Sequence, residues 1–281
     1  MVGRYLNEDR CTSASGRPRV GPGPDRVGCS PRRDVGFHHV WVSDHLVHPV
    51  EQTYPNSAYM FDPVLTLAWA AAATTEIEIG TAVLVLPQYQ PVALANTLGS
   101  LDVLSGGRLI LGAAVGWSGR EFEALGQDIS NRGERMEEIL DVLTACWYTD
   151  PASYHGVHYA FDDIRVRPQP VREVPIWIGG HGARAWRRAA ERGHGFMALG
   201  RTSNEMADIA HELRSHQVDE SFVVALRTGW DASDMSHARI LEEFEAYPDA
   251  GVDHVIAAPW QPTFEGWCES VVALAELLAL R

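Results

Sequence analysis

From residue 36 onward, short apolar runs alternate with longer stretches in which apolar side chains recur at i, i+3 and i+4. The runs at 39–43, 77–86, 108–115, 174–178, 195–199, 222–227 and 254–258 predict strands. The stretches at 63–74, 92–104, 132–147, 183–192, 204–216, 236–246 and 265–280 predict helices. Several strands are apolar at every position, as in Ala82-Val83-Leu84-Val85-Leu86, so both their faces must be covered. That is the pattern of a parallel sheet sheathed by helices. Seven strand–helix units fall one short of a (β/α)8 barrel of the TIM type. A doubly wound open sheet would also alternate, but no Gly-x-Gly-x-x-Gly follows an early strand, which disfavours a Rossmann domain.

Two segments break the alternation. Residues 1–35 hold seven Arg, five Gly and four Pro and carry no helical or strand period, which predicts a disordered N-terminal segment. The barrel domain is then 36–281, interrupted at about 148–174 by Tyr154-His155-Gly156-Val157-His158-Tyr159 and by Pro168 and Pro170. This reads as a short hairpin in an excursion that forms a lid or faces substrate.

Composition removes whole chemistries. All 23 basic residues are Arg and there is no Lys, which excludes a Schiff-base lysine, a pyridoxal phosphate anchor and a phosphate-loop lysine. A net charge of −14 argues against nucleic acid and anionic membranes as partners. No apolar run reaches the roughly 18 residues of a membrane helix, and the N-terminus has no apolar block of a secretory signal. The four cysteines are scattered, which fits a cytoplasmic protein.

Chemistry in a parallel barrel gathers where strands end. The first strong strand ends in Ser43-Asp44-His45, an acid and an imidazole placed either for proton handling and cofactor contact or as a cap in which Asp44 accepts loop amides. Gly80-Thr81-Ala82-Val83 would let a planar ligand approach the backbone, or would simply pack a buried strand. Trp117, after Gly116, either walls a pocket or packs beneath its loop. Gly179-Gly180-His181-Gly182-Ala183 joins a strand to a helix and can present amides to an anion. Arg184, Arg187, Arg188 and Arg192 on that helix read as a solvated face. The histidines lack the His-x-His spacing of metal-dependent barrels, so no metal is expected.

Together these residues resemble the bacterial luciferase-like flavin and deazaflavin oxidoreductases. The resemblance runs from Gly36 through Val42-Ser43-Asp44-His45, Ile79-Gly80-Thr81-Ala82-Val83, Pro91-Val92-Ala93, Leu101-Asp102 and Ser105-Gly106-Gly107-Arg108. It continues through Gly116-Trp117, Arg132-Gly133, Arg167-Pro168, Pro170 and Pro175-Ile176-Trp177-Ile178-Gly179-Gly180, to about residue 260. The chain is most similar to the actinobacterial subgroup of F420-dependent oxidoreductases. The resemblance implies a modified (β/α)8 barrel binding coenzyme F420, or alternatively FMN, at the mouth, with hydride transfer to a small-molecule substrate and a possible homodimer. FMN members go on to act as monooxygenases. It also implies a non-proline cis peptide at Ala82–Val83 as a buttress for the cofactor ring, Asp44 and His45 at the ring face with His45 exchanging a proton, Thr81, Gly116 and Trp117 among the cofactor-binding residues, and Trp117 bordering the substrate side. Gly179, Gly180, His181, Gly182 and Ala183 would meet the cofactor phosphate.

The chain departs from the sugar-phosphate dehydrogenases of the family. Pro49 and Trp117 stand where those carry Trp and Glu, their phosphate-binding lysines are absent, and Gly193-His194-Gly195 replaces a usual Gly-Asp-Gly. A sugar phosphate is therefore not the expected substrate. Residues 1–35 do not resemble the family's first strand and helix. A barrel without that unit exposes two strand edges. Either another segment replaces it, or the start of the chain is a misread frame and the protein a non-catalytic, degenerate barrel subunit.

Overall fold

The computed structural model describes residues 1–5, 36–51, 60–216 and 218–279. In chain order the elements are β1 (Val2–Tyr5), β2 (His39–Val42), α1 (Pro63–Ala73), β3 (Glu78–Thr81), β4 (Leu84–Val85), α2 (Pro91–Ser105) and β5 (Leu109–Ala114). Next come α3 (Gly119–Ala124), α4 (Arg132–Tyr148), β6 (Ala152–His155), β7 (Ala160–Ile164), β8 (Ile176–Gly179), α5 (Ala183–Arg192) and β9 (Gly195–Leu199). The chain finishes with α6 (Ser203–Ser215), β10 (Val223–Thr228), α7 (His237–Asp249), β11 (His254–Ala257) and α8 (Phe264–Ala279).

The sheet runs β3-β2-β1-β11-β10-β9-β8-β5, and β3 pairs with β5 to close the ring. The two-residue β4 resumes the line of β3 beyond Ala82–Val83 and pairs with Leu84 opposite Ala113. That gives eight strand positions around a closed barrel. The ring pairings are parallel except those of β1, which lies antiparallel to β2 (Val2 opposite Val40) and to β11 (Tyr5 opposite His254). The expected structureless segment at 1–35 thus needs correction at its first residues: Val2–Tyr5 is a strand, seated between β2 and β11. Residues 6–35 lie outside the described residues.

Strand alternation sorts the apolar residues into two cores. Trp41, Ala82, Ile110, Trp177, Met197, Ala225 and Ile256 fill the barrel. Their neighbours Leu109, Leu111, Ile178, Val224 and Leu226 point outward, onto Leu98, Ile139, Leu143 and other helix residues. The strands apolar on both faces are explained by this double burial. Helix starts follow their local chemistry, with Asp62 Oδ1 accepting from Leu65 N at 2.8 Å before Pro63 opens α1. Gly106, at φ 74°, ends α2 in the left-handed conformation. No helix among the described residues is long and apolar enough to cross a membrane.

The excursion at 148–174 carries the hairpin β6–β7. Its tip is fastened to α4 by Glu138, whose carboxylate accepts the amides of Val157, His158 and Tyr159 at 2.8–3.2 Å. A groove of about 830 Å³ lies between the start of α2 and β7, lined by Pro91, Val92, Asn96, Tyr159 and Phe161 among others. None of the strand-end residues singled out from the sequence lines it.

Candidate functional site

The parallel strands all end at one mouth. Two residues beyond each interior side chain comes the next residue on the same face. Trp41 is followed by Ser43, Ile110 eventually by Ala114, Trp177 by Gly179, Met197 by Leu199, Ala225 by Arg227 and Ile256 by Ala258. The floor of the mouth is therefore built largely of small residues. Ala82 is at its centre of bonding: its carbonyl accepts from Ser43 Oγ at 3.4 Å and from Arg227 Nη1 at 3.0 Å. The Ala82–Val83 peptide is cis. Thr81 Oγ1 donates to the Gly112 carbonyl at 2.7 Å. A Cβ on Gly112 would stand 1.9 Å from the Thr81 carbonyl oxygen, and one on Gly179 would stand 2.7 Å from Val83 Cγ1. Glycine at these two positions lets the walls close while keeping the floor low.

Asp44 and His45 leave β2 side by side and do different things. Asp44 is 2% exposed, and both its oxygens are engaged: Val85 N donates to Oδ2 at 2.8 Å and Tyr89 Oη to Oδ1 at 3.0 Å. The carboxyl thereby braces β4 and the turn after it against the end of β2. Burial pushes its pKa up to about 6, against the opposing pull of those two donors, and the nearby Glu121 adds to the rise. Tyr89 is pushed far above its ordinary value by burial and by Asp44, and so remains a donor.

His45 is half-buried and directs Nδ1 at Glu121 Oε2, 3.2 Å away. The other oxygen of Glu121 accepts the amides of Leu46 (2.8 Å) and Val47 (3.3 Å). Burial alone would raise the Glu121 carboxyl, but the His45 ring and the Val47 amide outweigh it and hold the pKa below the usual carboxylate value. The His45 ring stands edge-on to Trp117, with centroids 5.9 Å apart, and near His48 at 5.6 Å. Gly116, at φ 79°, turns the chain just before Trp117, whose ring meets His45. Glu121 belongs to the six-residue α3, too short for a helical period to reveal, so no pattern in the sequence assigns it a role. Its one sequence signal is position: an acid four residues after the Gly116-Trp117 strand end.

Gly180 (φ 152°) and Gly182 (φ 78°) shape the turn from β8 into α5, and Ala183 opens that helix. A Cβ on Gly182 would meet nothing within 4 Å, so its surroundings are open. His181 Nδ1 lies 3.1 Å from Arg201 Nη2, which brings a guanidinium from the end of β9 to the turn. The arginines of α5 divide: Arg188 and Arg192 pair with Glu137 and Asp141 of α4, so part of the expected solvated face is an inter-helix contact. His194 belongs elsewhere. Its Nδ1 accepts from Ile176 N at 3.1 Å, and the departure from Gly-Asp-Gly serves the base of β8. Among the described residues no three His, Cys, Asp or Glu side chains gather as metal ligands would.

The luciferase-like monooxygenase family model matches residues 34–254, and the chain belongs to that family. It is 29% identical over 188 residues to an uncharacterised protein of Mycobacterium tuberculosis, covering 61% of this chain and 64% of that one. It is 28% identical over 213 residues to the F420-dependent glucose-6-phosphate dehydrogenase of Kineococcus radiotolerans, covering 74% of this chain and 58% of the relative. These curated relatives are thus matched over less than two thirds of their own length. Among solved structures, an F420-dependent secondary alcohol dehydrogenase in complex with an F420-acetone adduct superposes with a TM-score of 0.72 at 19% identity, covering 88% of this chain and 91% of that one. At that identity the likeness is one of fold.

Proposed function

We propose that this protein is an F420-dependent oxidoreductase that transfers a hydride between the deazaflavin and a small organic substrate at the barrel mouth. The observation that carries this reading is the mouth itself: a low floor of small residues around Ala82, an imidazole at its edge, and a glycine turn into α5. These residues fit a flat ring with a phosphate-bearing tail. When bound, the deazaflavin would supply hydride chemistry at its middle ring. Ala82, Val83 and Gly179 would support that ring, and the amides from Gly180 to Ala183 would meet the phosphate, with the Arg201 guanidinium beside His181 at the turn in a chain that has no lysine. His45 would exchange the proton that accompanies the hydride, and Asp44 would keep the floor in register through Val85 and Tyr89.

Leu46, Trp117, Leu199 and Trp260 are all exposed at strand ends around this mouth. An apolar rim without lysine supports a substrate other than a sugar phosphate. Leu65 and Trp69 are exposed one turn apart on α1, which supports a homodimer; light scattering should then give twice the 31.0 kDa chain mass.

The test is a fluorescence titration with oxidised and reduced F420 and, separately, with FMN. Micromolar binding of F420 supports the reading, binding of FMN alone would move it to a flavin monooxygenase, and binding of neither would overturn it. In the F420-loaded protein, His45→Ala should lower kcat by roughly 10²–10⁴. An unchanged kcat would reduce His45 to a structural role.

A further inference from the structure

We propose that Glu121 is the positioning residue of this site, fixing His45 in the tautomer that carries its proton on Nδ1 and leaves Nε2 as the proton-exchanging atom. The inference rests on the oxidoreductase reading for its catalytic consequence, but its structural content stands on the geometry of the unliganded protein.

Glu121 is 1% exposed, and its two oxygens have separate duties. Oε1 takes two backbone amides, Leu46 at 2.8 Å and Val47 at 3.3 Å, which fixes the carboxylate's orientation from the loop side. Oε2 faces His45 Nδ1 at 3.2 Å, and the Gln88 side chain also donates to the carboxylate. A carboxylate held ionised can only accept, so Nδ1 must carry the hydrogen. The other ring nitrogen is then the one with a free lone pair. Trp117 packs edge-on against the ring and limits its rotation. The groups facing the imidazole are therefore Glu121, Trp117 and His48, with Asp44 adjacent on the same strand end.

With F420 bound, a substrate whose reacting carbon bears an O–H would give up its C–H hydrogen with the bonding electron pair to the deazaflavin, while its hydroxyl proton would pass to His45 Nε2, leaving a carbonyl product. The reverse reaction returns both. The imidazolium formed in the forward direction lies beside the Glu121 carboxylate, which stabilises it at the moment it appears.

The isosteric Glu121→Gln variant separates this role from simple packing. Its amide oxygen must stay on the Leu46 and Val47 amides, because an NH2 there would face two donors. The NH2 group then turns toward His45 and donates to Nδ1, inverting the tautomer and placing a hydrogen on Nε2. Nitrogen-15 NMR of the His45 ring in the cofactor-free protein should report hydrogen on Nδ1 in the wild type and on Nε2 in the variant. In loaded enzyme the variant should lose about 10²–10⁴ in kcat with KM changed less than about threefold, because a wrong tautomer leaves binding intact. The limb of its pH–rate profile that belongs to the pair should also move. Wild-type His45 with hydrogen on Nε2, or a variant with unchanged kcat and pH profile, overturns the proposal. If Glu121→Gln does not fold, the wild-type ring spectrum alone decides. If the wild type binds no F420 but shows the Nδ1-protonated ring, the functional reading fails while the placement by Glu121 holds.

Discussion

Asp44 and His45 were legible in the sequence as a pair because they stand at a strand end, but their division of labour was not. The partners that separate them lie far along the chain: Val85 and Tyr89 for Asp44 at separations of 41 and 45 residues, Glu121 for His45 at 76. No local period encodes such contacts; only the closed barrel brings them together. The burial of Asp44 has a measurable consequence. Its pKa rises from the ordinary 3.8 to about 6, so the fold prefers the protonated acid. This group's contribution to stability is full below about pH 4, declines as pH rises, and is lost through about pH 6. The rise corresponds to about 3 kcal/mol. Urea unfolding of wild type and Asp44→Asn across pH 4–7 should show the wild type losing up to about that much more stability than the variant over this window. Parallel pH profiles would show that Asp44 is not desolvated in the folded protein.

Strands and helices were largely readable because the two cores impose two periods, with apolar residues on both faces of a strand and on one face of a helix. Two elements escaped that logic for physical reasons: α3 spans six residues, and β1 sits in a glycine- and arginine-rich stretch where four residues give no pattern. The joints between elements were visible only as familiar residues, without their purpose. At the turn from α2 into β5, Arg108 is 3% exposed and distributes its guanidinium among the ends of two helices. Nε donates to the Ser105 carbonyl at 2.6 Å, Nη1 to Ile77 O and Thr74 Oγ1, and Nη2 to Ala71 O and Thr74 O, all between 2.7 and 3.0 Å. Five donors in a planar fork meet five acceptors, which a lysine's three donors on one nitrogen cannot reproduce. Arg108→Lys should therefore leave buried carbonyls unsatisfied and cost about 3 kcal/mol, lowering the melting temperature by roughly 6–12 °C in calorimetry. A change within about 1 °C would mean that water replaces the lost donors.

At the scale of the whole molecule, the barrel's count of eight depends on β1, the one strand that runs against the rest. Its pairing spans Val2–Tyr5 against His254–Ala257 on one side and Val2–Gly3 against His39–Val40 on the other. Just before it, Met1 O accepts from Trp41 N at 2.8 Å and Met1 N donates to Trp41 O at 3.0 Å, beside the ring that fills the barrel centre. β2 and β11 each present an edge that β1 covers, because the backbone groups of an antiparallel strand alternate toward either neighbour. Removing Met1–Tyr5 should reopen those edges. The interior Trp41, Trp177 and Ile256 would then be shielded from one side fewer, and exposed parallel edges invite pairing with another chain. The expected result is a truncated protein that elutes as oligomers or aggregates in size-exclusion chromatography. Its amides at Trp41 and Val255–Ala257 should exchange with deuterium at least tenfold faster than in the full chain, about 1.4 kcal/mol or more of lost local protection. Slow exchange at Arg108–Leu111, on the far side of the ring, should persist if the remaining strands hold together. A truncated monomer with native exchange on both sides would show that β2 and β11 close without β1, and the barrel would then have to be counted as seven.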